Sequence, residues 1–241
     1  MSRFPWSEKL GELQREAALK RAKGDSLRRQ GKDIDADEEF RKGIGFLERA
    51  LDTLGQSPSG SAPGPGDAPA LPEEELARVR ELIEAHGARA GLLRRIGEST
   101  AALAGYSKGA DLERRFVPES TYNRTNEIKY GLLTGVSTLA DLSSDIMALE
   151  RHMTQSLNEH PELGDDGWAW ADLGDLRALC GDAEGAERAY RAFIAKAKPT
   201  APRTTLDVLG SILEILERTN DAQAATVRQS LEFVRGKLNL R

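Results

Sequence analysis

The sequence predicts an all-α protein, a solenoid of about ten helices arranged as antiparallel hairpins. Three observations carry this. Charged residues are 30% of the 241 and aromatics only 5%, a balance suited to helices with broad solvated faces. Apolar residues recur at three- and four-residue spacing along most of the chain. A pattern of glycine, alanine and aromatic positions returns at fixed offsets, as expected where each hairpin can bury its apolar face only against its neighbours.

A first helix is expected from about Ser7 to Gly31, with Leu10, Leu13, Ala17, Leu19, Ala22 and Leu27 periodic and Ser7 as N-cap. A second runs from about Asp35 to Leu54, with Phe40, Ile44, Leu47 and Leu51 on its apolar face. Residues 55–71 are rich in Pro, Gly, Ser and Ala and have almost no large apolar side chain. Burial cannot offset their ordering entropy, so a flexible loop is expected within one solenoid spanning 1–241.

Residues 73–116 repeat the first hairpin at an offset of 66: Leu10, Ala22, Leu27, Arg28, Arg29, Gly31, Ala36 and Gly43 match Leu76, Ala88, Leu93, Arg94, Arg95, Gly97, Ala102 and Gly109. Both units have a long first helix, and the two are expected to extend side by side. A divergent pair fills 120–160, with one helix from about Ser120 to Leu133, ended by Thr134-Gly135, and another from about Thr138 to Glu159, closed by His160-Pro161. After residue 199, Pro202 and Thr204 start a helix carrying Leu206, Leu209, Ile212, Leu213 and Leu216. Asp221 caps a last one carrying Val227, Leu231, Val234 and Leu238. The pair over 202–241 suits a terminal cap with a polar outer face.

The clearest repeat is residues 168–199. Trp170-x-x-Leu173-Gly174 opens it, Gly181 follows seven residues after Gly174, then Ala186, Tyr190 and Phe193, and Pro199 closes it. Small residues stand where two antiparallel backbones must approach, large ones fill the space between them, and a glycine permits the turn. This stretch resembles a tetratricopeptide (TPR) repeat, and residues 20–50 and 86–116 are similar. Arg177 stands where an aromatic is usual and Phe193 where alanine is usual. The resemblance implies a TPR-like right-handed solenoid. A narrower likeness covers about residues 80–215: ALAGYSKGADLERRFVPESTYNRTNEIKYGLLTG, a long helix, then WAWADLGDLRALCGDAEGAERAYRAFI. This order resembles the TPR tract, or TRAF-binding region, of apoptosis-signal-regulating kinases and of bacterial TPR proteins that share it. No glycine-rich phosphate loop, HRD or DFG is present, so what the likeness implies is a regulatory scaffold and not a kinase.

Two clusters are candidate partner-binding residues. Arg28-Arg29 and Arg94-Arg95 occupy equivalent places near the ends of the long first helices, and with Arg21 they can form a basic stripe whose guanidinium forks suit carboxylates. The competing reading is a solvated face paired locally with Glu38, Glu39 or Glu98. Asp25 and Gly91 stand where the carboxylate-clamp TPRs want asparagine, so binding of chaperone tails is not expected. Tyr122, Asn123, Arg124, Asn126, Lys129 and Tyr130 form the densest polar-aromatic cluster. Its asparagines are poor helix formers and suit hydrogen bonding to an extended peptide. The alternative is that Asn123 caps its helix and Asn126 ties it to the loop after Phe116. Trp168 is either an exposed anchor for a partner or packed on the preceding helix.

No catalytic constellation emerges. His86, His152 and His160 lack metal spacing, Cys180 has no His/Asp pattern beside it, and Asp165-Asp166 and Asp172-Asp175 read as carboxylates offsetting a helix dipole. No catalytic residue, metal or cofactor is expected. The formal net charge of −5 argues against nucleic acid. The lone cysteine points to a reducing compartment, and the N-terminal residues have no signal-peptide core. No run reaches the roughly 18 apolar residues of a membrane span. The expectation is a soluble cytoplasmic, non-catalytic scaffold or regulatory subunit that holds a protein or peptide segment in a concave groove. Leu10, Leu13, Leu76 and Val79 either mediate a homodimer or pack together. The alternative function is a TPR-type sensor of a small ligand or short peptide, with a pocket around Asn123, Asn126 and Arg94.

Overall fold

The computed structural model describes residues 4–55, 71–165, 167–196, 201–219 and 221–237, without the side chains of 201–205. Among the described residues the chain is all-α. Its helices are α1 (Ser7–Arg29), α2 (Asp33–Leu54), α3 (Glu73–Arg95), α4 (Ser99–Phe116), α5 (Tyr122–Thr134), α6 (Leu139–Glu159), α7 (Trp168–Leu179), α8 (Ala183–Lys196), α9 (Ala201–Arg218) and α10 (Ala224–Lys237), with a 3-10 turn at Pro161–Gly164. The chain divides into two compact units, Met1–Glu127 and Ile128–Arg241. Of the expected loop over 55–71, only Gly55 and Leu71 fall within the described residues, and Pro199 and Leu238 fall outside them.

Three hairpins turn in the same way. After α1, Gly31 N donates to Arg28 O and Lys32 N to Leu27 O. After α3, Gly97 and Glu98 donate to Arg94 and Leu93. After α7, Gly181 and Asp182 donate to Ala178 and Arg177. Each glycine has φ between 74° and 83°. This paired closure uses orphan carbonyls at the helix end and needs a left-handed residue, which glycine adopts without a Cβ penalty.

The hairpins α1/α2 and α7/α8 also close on a shared contact. A Cβ on Gly24 would run into the Phe40 ring, and one on Gly174 would sit 2.7 Å from the Tyr190 ring. In both pairs the aromatic comes 16 residues after the glycine. The bare backbone of the first helix therefore seats the ring of the second.

In the first unit, α1 and α3 run side by side in register. Gln14 Nε2 donates to Glu81 at 2.7 Å near one end, and Arg28 donates to the Arg95 carbonyl near the other, so both links join residues 67 apart. Leu10, Leu13, Val79, Leu82 and Ile83 share one buried cluster, with Leu76 packed against it. Ser7 does not cap α1: the N-cap position is Trp6, and the Ser7 hydroxyl donates to Phe4 O at 2.7 Å.

In the second unit the core joins Ile128, Leu132, Ile146, Leu149, Leu173, Leu176, Tyr190, Phe193, Leu209, Ile212, Val227 and Leu231. Thr138 and Asp141 form a capping box at the start of α6, and the Asp221 carboxylate accepts from Gln223 N at 2.9 Å just before α10. Asp172 and Asp175 are not dipole-neutralising residues at a helix start. They lie within α7, 7% and 2% exposed, and face Lys129 of α5.

A candidate binding face on the first unit

The start of α5 is fixed by a carboxylate from α4. Glu113 is fully buried. It accepts the backbone N–H groups of Asn123 and Arg124 at 3.0 Å each, the Asn123 amide at 3.0 Å and the Ser120 hydroxyl at 2.9 Å. A carboxylate satisfies the orphan donors at a helix N-terminus and favours the dipole there. Asn123 is therefore not the cap of its helix but part of the plug beneath it. Its amide also donates to Ile83 O at 3.3 Å. Gly109 makes room for it, since a Cβ there would meet Asn123 Cγ at 2.5 Å.

This anchoring lays Tyr122 along the backbone of α3. A Cβ on Gly87 would meet the Tyr122 ring at 2.9 Å, and one turn later a Cβ on Gly91 would lie 3.9 Å from the Tyr122 hydroxyl. The same point beside Gly91 is 3.8 Å from the Tyr106 hydroxyl and 3.9 Å from Arg95 Nη1. The Tyr106 and Tyr122 rings meet edge to face at 6.1 Å. Two hydroxyls and a guanidinium thus converge on a helix position without a side chain. Gly91 is buried and Tyr106 is 1% exposed, whereas Tyr122 is 45% exposed, so the part of this face that meets solvent is the Tyr122 ring.

Arg95 is held rigidly. Its Nε donates to Asp25 at 3.0 Å, its Nη1 donates to Gly91 O at 3.0 Å, and its guanidinium lies 5.9 Å from the Phe40 ring centre. Burial, then Arg21, hold its proton affinity below the usual arginine range, with Asp25 acting the other way and Arg94 adding to the repulsion. Arg21 shares Asp25 at 3.9 Å. The group is rich in cations for the carboxylate it holds. Arg28 covers the Phe40 ring at 5.1 Å and pairs with Asp37, with Asp33 at 3.7 Å. The paired arginines are therefore Arg28 and Arg95 across two helices, and their counter-ions are Asp25, Asp33 and Asp37. Glu98 pairs with Arg41, and Glu39 with Lys20, Lys23 and Lys42. Arg29 is exposed at the end of α1, and Arg94 is half-buried at the end of α3.

The rest of the polar-aromatic cluster turns inward. Asn126 is 4% exposed and its amide donates to Tyr122 O at 2.8 Å. Asn123, 1% exposed, and Asn126 are both held inside by packing and amide hydrogen bonds, with the buried Asn123 Oδ1 accepting none from the described residues. Arg124 is half-buried and its N–H is taken by Glu113. Tyr130 is 2% exposed. Lys129 is 5% exposed and donates to Asp172 at 3.0 Å and Asp175 at 2.8 Å, and the Tyr190 hydroxyl donates to the other Asp175 oxygen at 2.7 Å. Lys129, Asn123 and Tyr130 are thus beyond the reach of a surface partner. Trp168 is 38% exposed, and its ring lies 5.5 Å from that of Phe193, so it is packed on one side and open on the other.

His86 is half-buried on α3. Burial first, then Lys108 and Arg89, push its pKa down to about 4. Burial also pushes the Cys180 thiol up, with Glu150 and Asp182 adding to the rise, the opposite of an activated nucleophile. Among the described residues no group of three His, Cys, Asp or Glu side chains could hold a metal ion, and no helix is long and apolar enough to cross a membrane. No model of a known family and no curated protein matches the chain.

Proposed function

We propose that the protein is a non-catalytic interaction scaffold of TPR-like architecture that binds an acidic partner segment on the first unit, over α1, α3 and the start of α5. The single observation carrying this reading is the exposed Tyr122 ring, laid along the α3 backbone at Gly87 and Gly91, on the same unit as an arginine group whose Arg21 and Arg29 are exposed. Arginine forks and phenol hydroxyls suit carboxylates on an extended chain. The three identical glycine turns and the two glycine-seated rings support the repeat architecture, whose first helices commonly line a binding face. The reading places the protein in the cytoplasm.

The test is affinity capture with wild-type protein beside Arg21→Glu/Arg29→Glu, two changes at exposed positions. The reading expects a stoichiometric partner with an acidic segment, lost in the variant while circular dichroism is unchanged. A partner retained equally by both proteins sinks it.

A further inference from the structure

The second unit carries a cleft of about 240 Å³ between α6, α7 and α8. Leu157, Leu173 and Ala189, all buried, make its wall together with the half-buried Trp170. Apolar walls with a few convergent polar groups are the usual composition of small-ligand sites. At the roughly 30 Å³ that a water-sized group occupies, this space takes about eight non-hydrogen atoms.

The two arginines at the cleft differ in kind. Arg177 is held on all three nitrogens: Nε donates to Glu150 at 2.9 Å, Nη2 to Thr154 at 3.0 Å and Nη1 to Gly185 O at 3.3 Å. Glu150 neutralises it, and it serves as rigid wall. Arg188 is 67% exposed, and its partner Glu184, 91% exposed, is 3.7 Å away. Such a surface pair is worth ~0–1 kcal/mol, so Arg188 can exchange that carboxylate for another. The exposed Asn158 amide stands on the same rim.

We infer that this cleft binds a small free carboxylic acid with a compact aromatic or branched aliphatic body. The body lies against Leu157, Leu173 and Trp170, and the carboxylate replaces Glu184 on Arg188 beside Asn158. The charge follows from the lining: Arg177 and Glu150 cancel, which leaves Arg188 as the cation that a ligand can meet. This inference is independent of the partner-binding reading, which concerns the other unit.

The probe is phenylacetate, titrated into the ¹⁵N-labelled full chain, with phenylacetamide and acetate as controls. The expected result is saturable shifts of the Trp170 indole and of Leu173 and Ala189 amides, binding up to about fivefold weaker for phenylacetamide, and none for acetate. Arg188→Gln, at a solvated position, weakens phenylacetate by up to about fivefold, the scale of an exposed charge pair. Glu184→Gln, which removes the internal competitor, tightens it. Equal affinity for acid and amide, shifts outside the cleft, no saturation, or an unchanged constant in both variants each overturns the inference.

Discussion

Lys129 places its ammonium 2.8 Å from the Asp175 carboxylate, 46 residues away in sequence. Asp172 is the second acceptor at 3.0 Å, and Tyr190 completes the network through the other Asp175 oxygen. One cation thus ties α5 to α7, and a phenol ties α7 to α8, inside a largely apolar core.

Removing that cation leaves two buried carboxylates without their counter-ion, with the neutral Tyr190 hydroxyl still donating to Asp175. Lys129→Met is expected to destabilise the second unit by about 3–5 kcal/mol. Tyr190→Phe removes one hydrogen bond to a charged acceptor and costs roughly 1.5–3 kcal/mol. Lys129→Met/Asp172→Asn/Asp175→Leu, which removes all the charge, is expected to recover part of the loss. Urea unfolding of the four proteins checks the order.

The same network sets the alkaline limit. Burial works against the Lys129 ammonium, but Asp172 and Asp175 outweigh it and raise its pKa above the ordinary 10.5. Burial, then Asp175, raise the Tyr190 pKa above 10.0. In both cases the folded protein keeps a proton that the unfolded chain gives up. Their contribution is complete below about pH 10 and is lost as pH rises beyond it. Stability measured from pH 8 to 11 should fall past pH 10, and should fall less steeply in Lys129→Met/Tyr190→Phe.

His86 acts at the other end of the scale. Its folded pKa is depressed to about 4 against the ordinary 6.5, so the unfolded chain takes up a proton first. Stability is unaffected above pH 6.5 and declines as pH falls toward 4. His86→Gln should flatten that part of the pH profile, as read by thermal unfolding between pH 7 and 4.5.

The glycines of the helices divide by what faces them. Gly174→Ala drives a methyl into the Tyr190 ring and is expected to cost about 1–3 kcal/mol, despite the better helix propensity of alanine. Gly45→Ala meets nothing within 4 Å and should stabilise by roughly 0.5–1 kcal/mol. Thermal melts of the two variants should move in opposite directions.

Local rules made the helices legible. Apolar periodicity places α2 and α6 to within two residues, and the glycines at 31, 97 and 181 announce three turns that the structure closes in the same way. Tertiary pairing was not legible in this way. Asn123 and Lys129 read as groove residues because polar side chains on a helix usually meet solvent, yet Glu113 and Asp175 take them inward from 10 and 46 positions away. Nothing local marks such partners. The arginine pairs were visible as repeats, but the link of Arg28 to Arg95 rather than to its neighbour depends on the register of α1 against α3. Gly91 looked like an absent asparagine, and in the structure it is a buried, bare position on which Tyr106, Tyr122 and Arg95 converge.

The central claim, an acidic segment bound on the first unit beside the exposed Tyr122, is tested most directly by photo-crosslinking. p-Benzoylphenylalanine replaces Tyr122 in the full chain, alone and combined with Arg21→Glu/Arg29→Glu, and the crosslinked peptide is sequenced. The account predicts one dominant crosslink to a segment rich in Asp and Glu, abolished by the charge reversal while helicity is unchanged. A crosslinked segment without acidic residues, or the same crosslink at equal yield in the reversed protein, would contradict it.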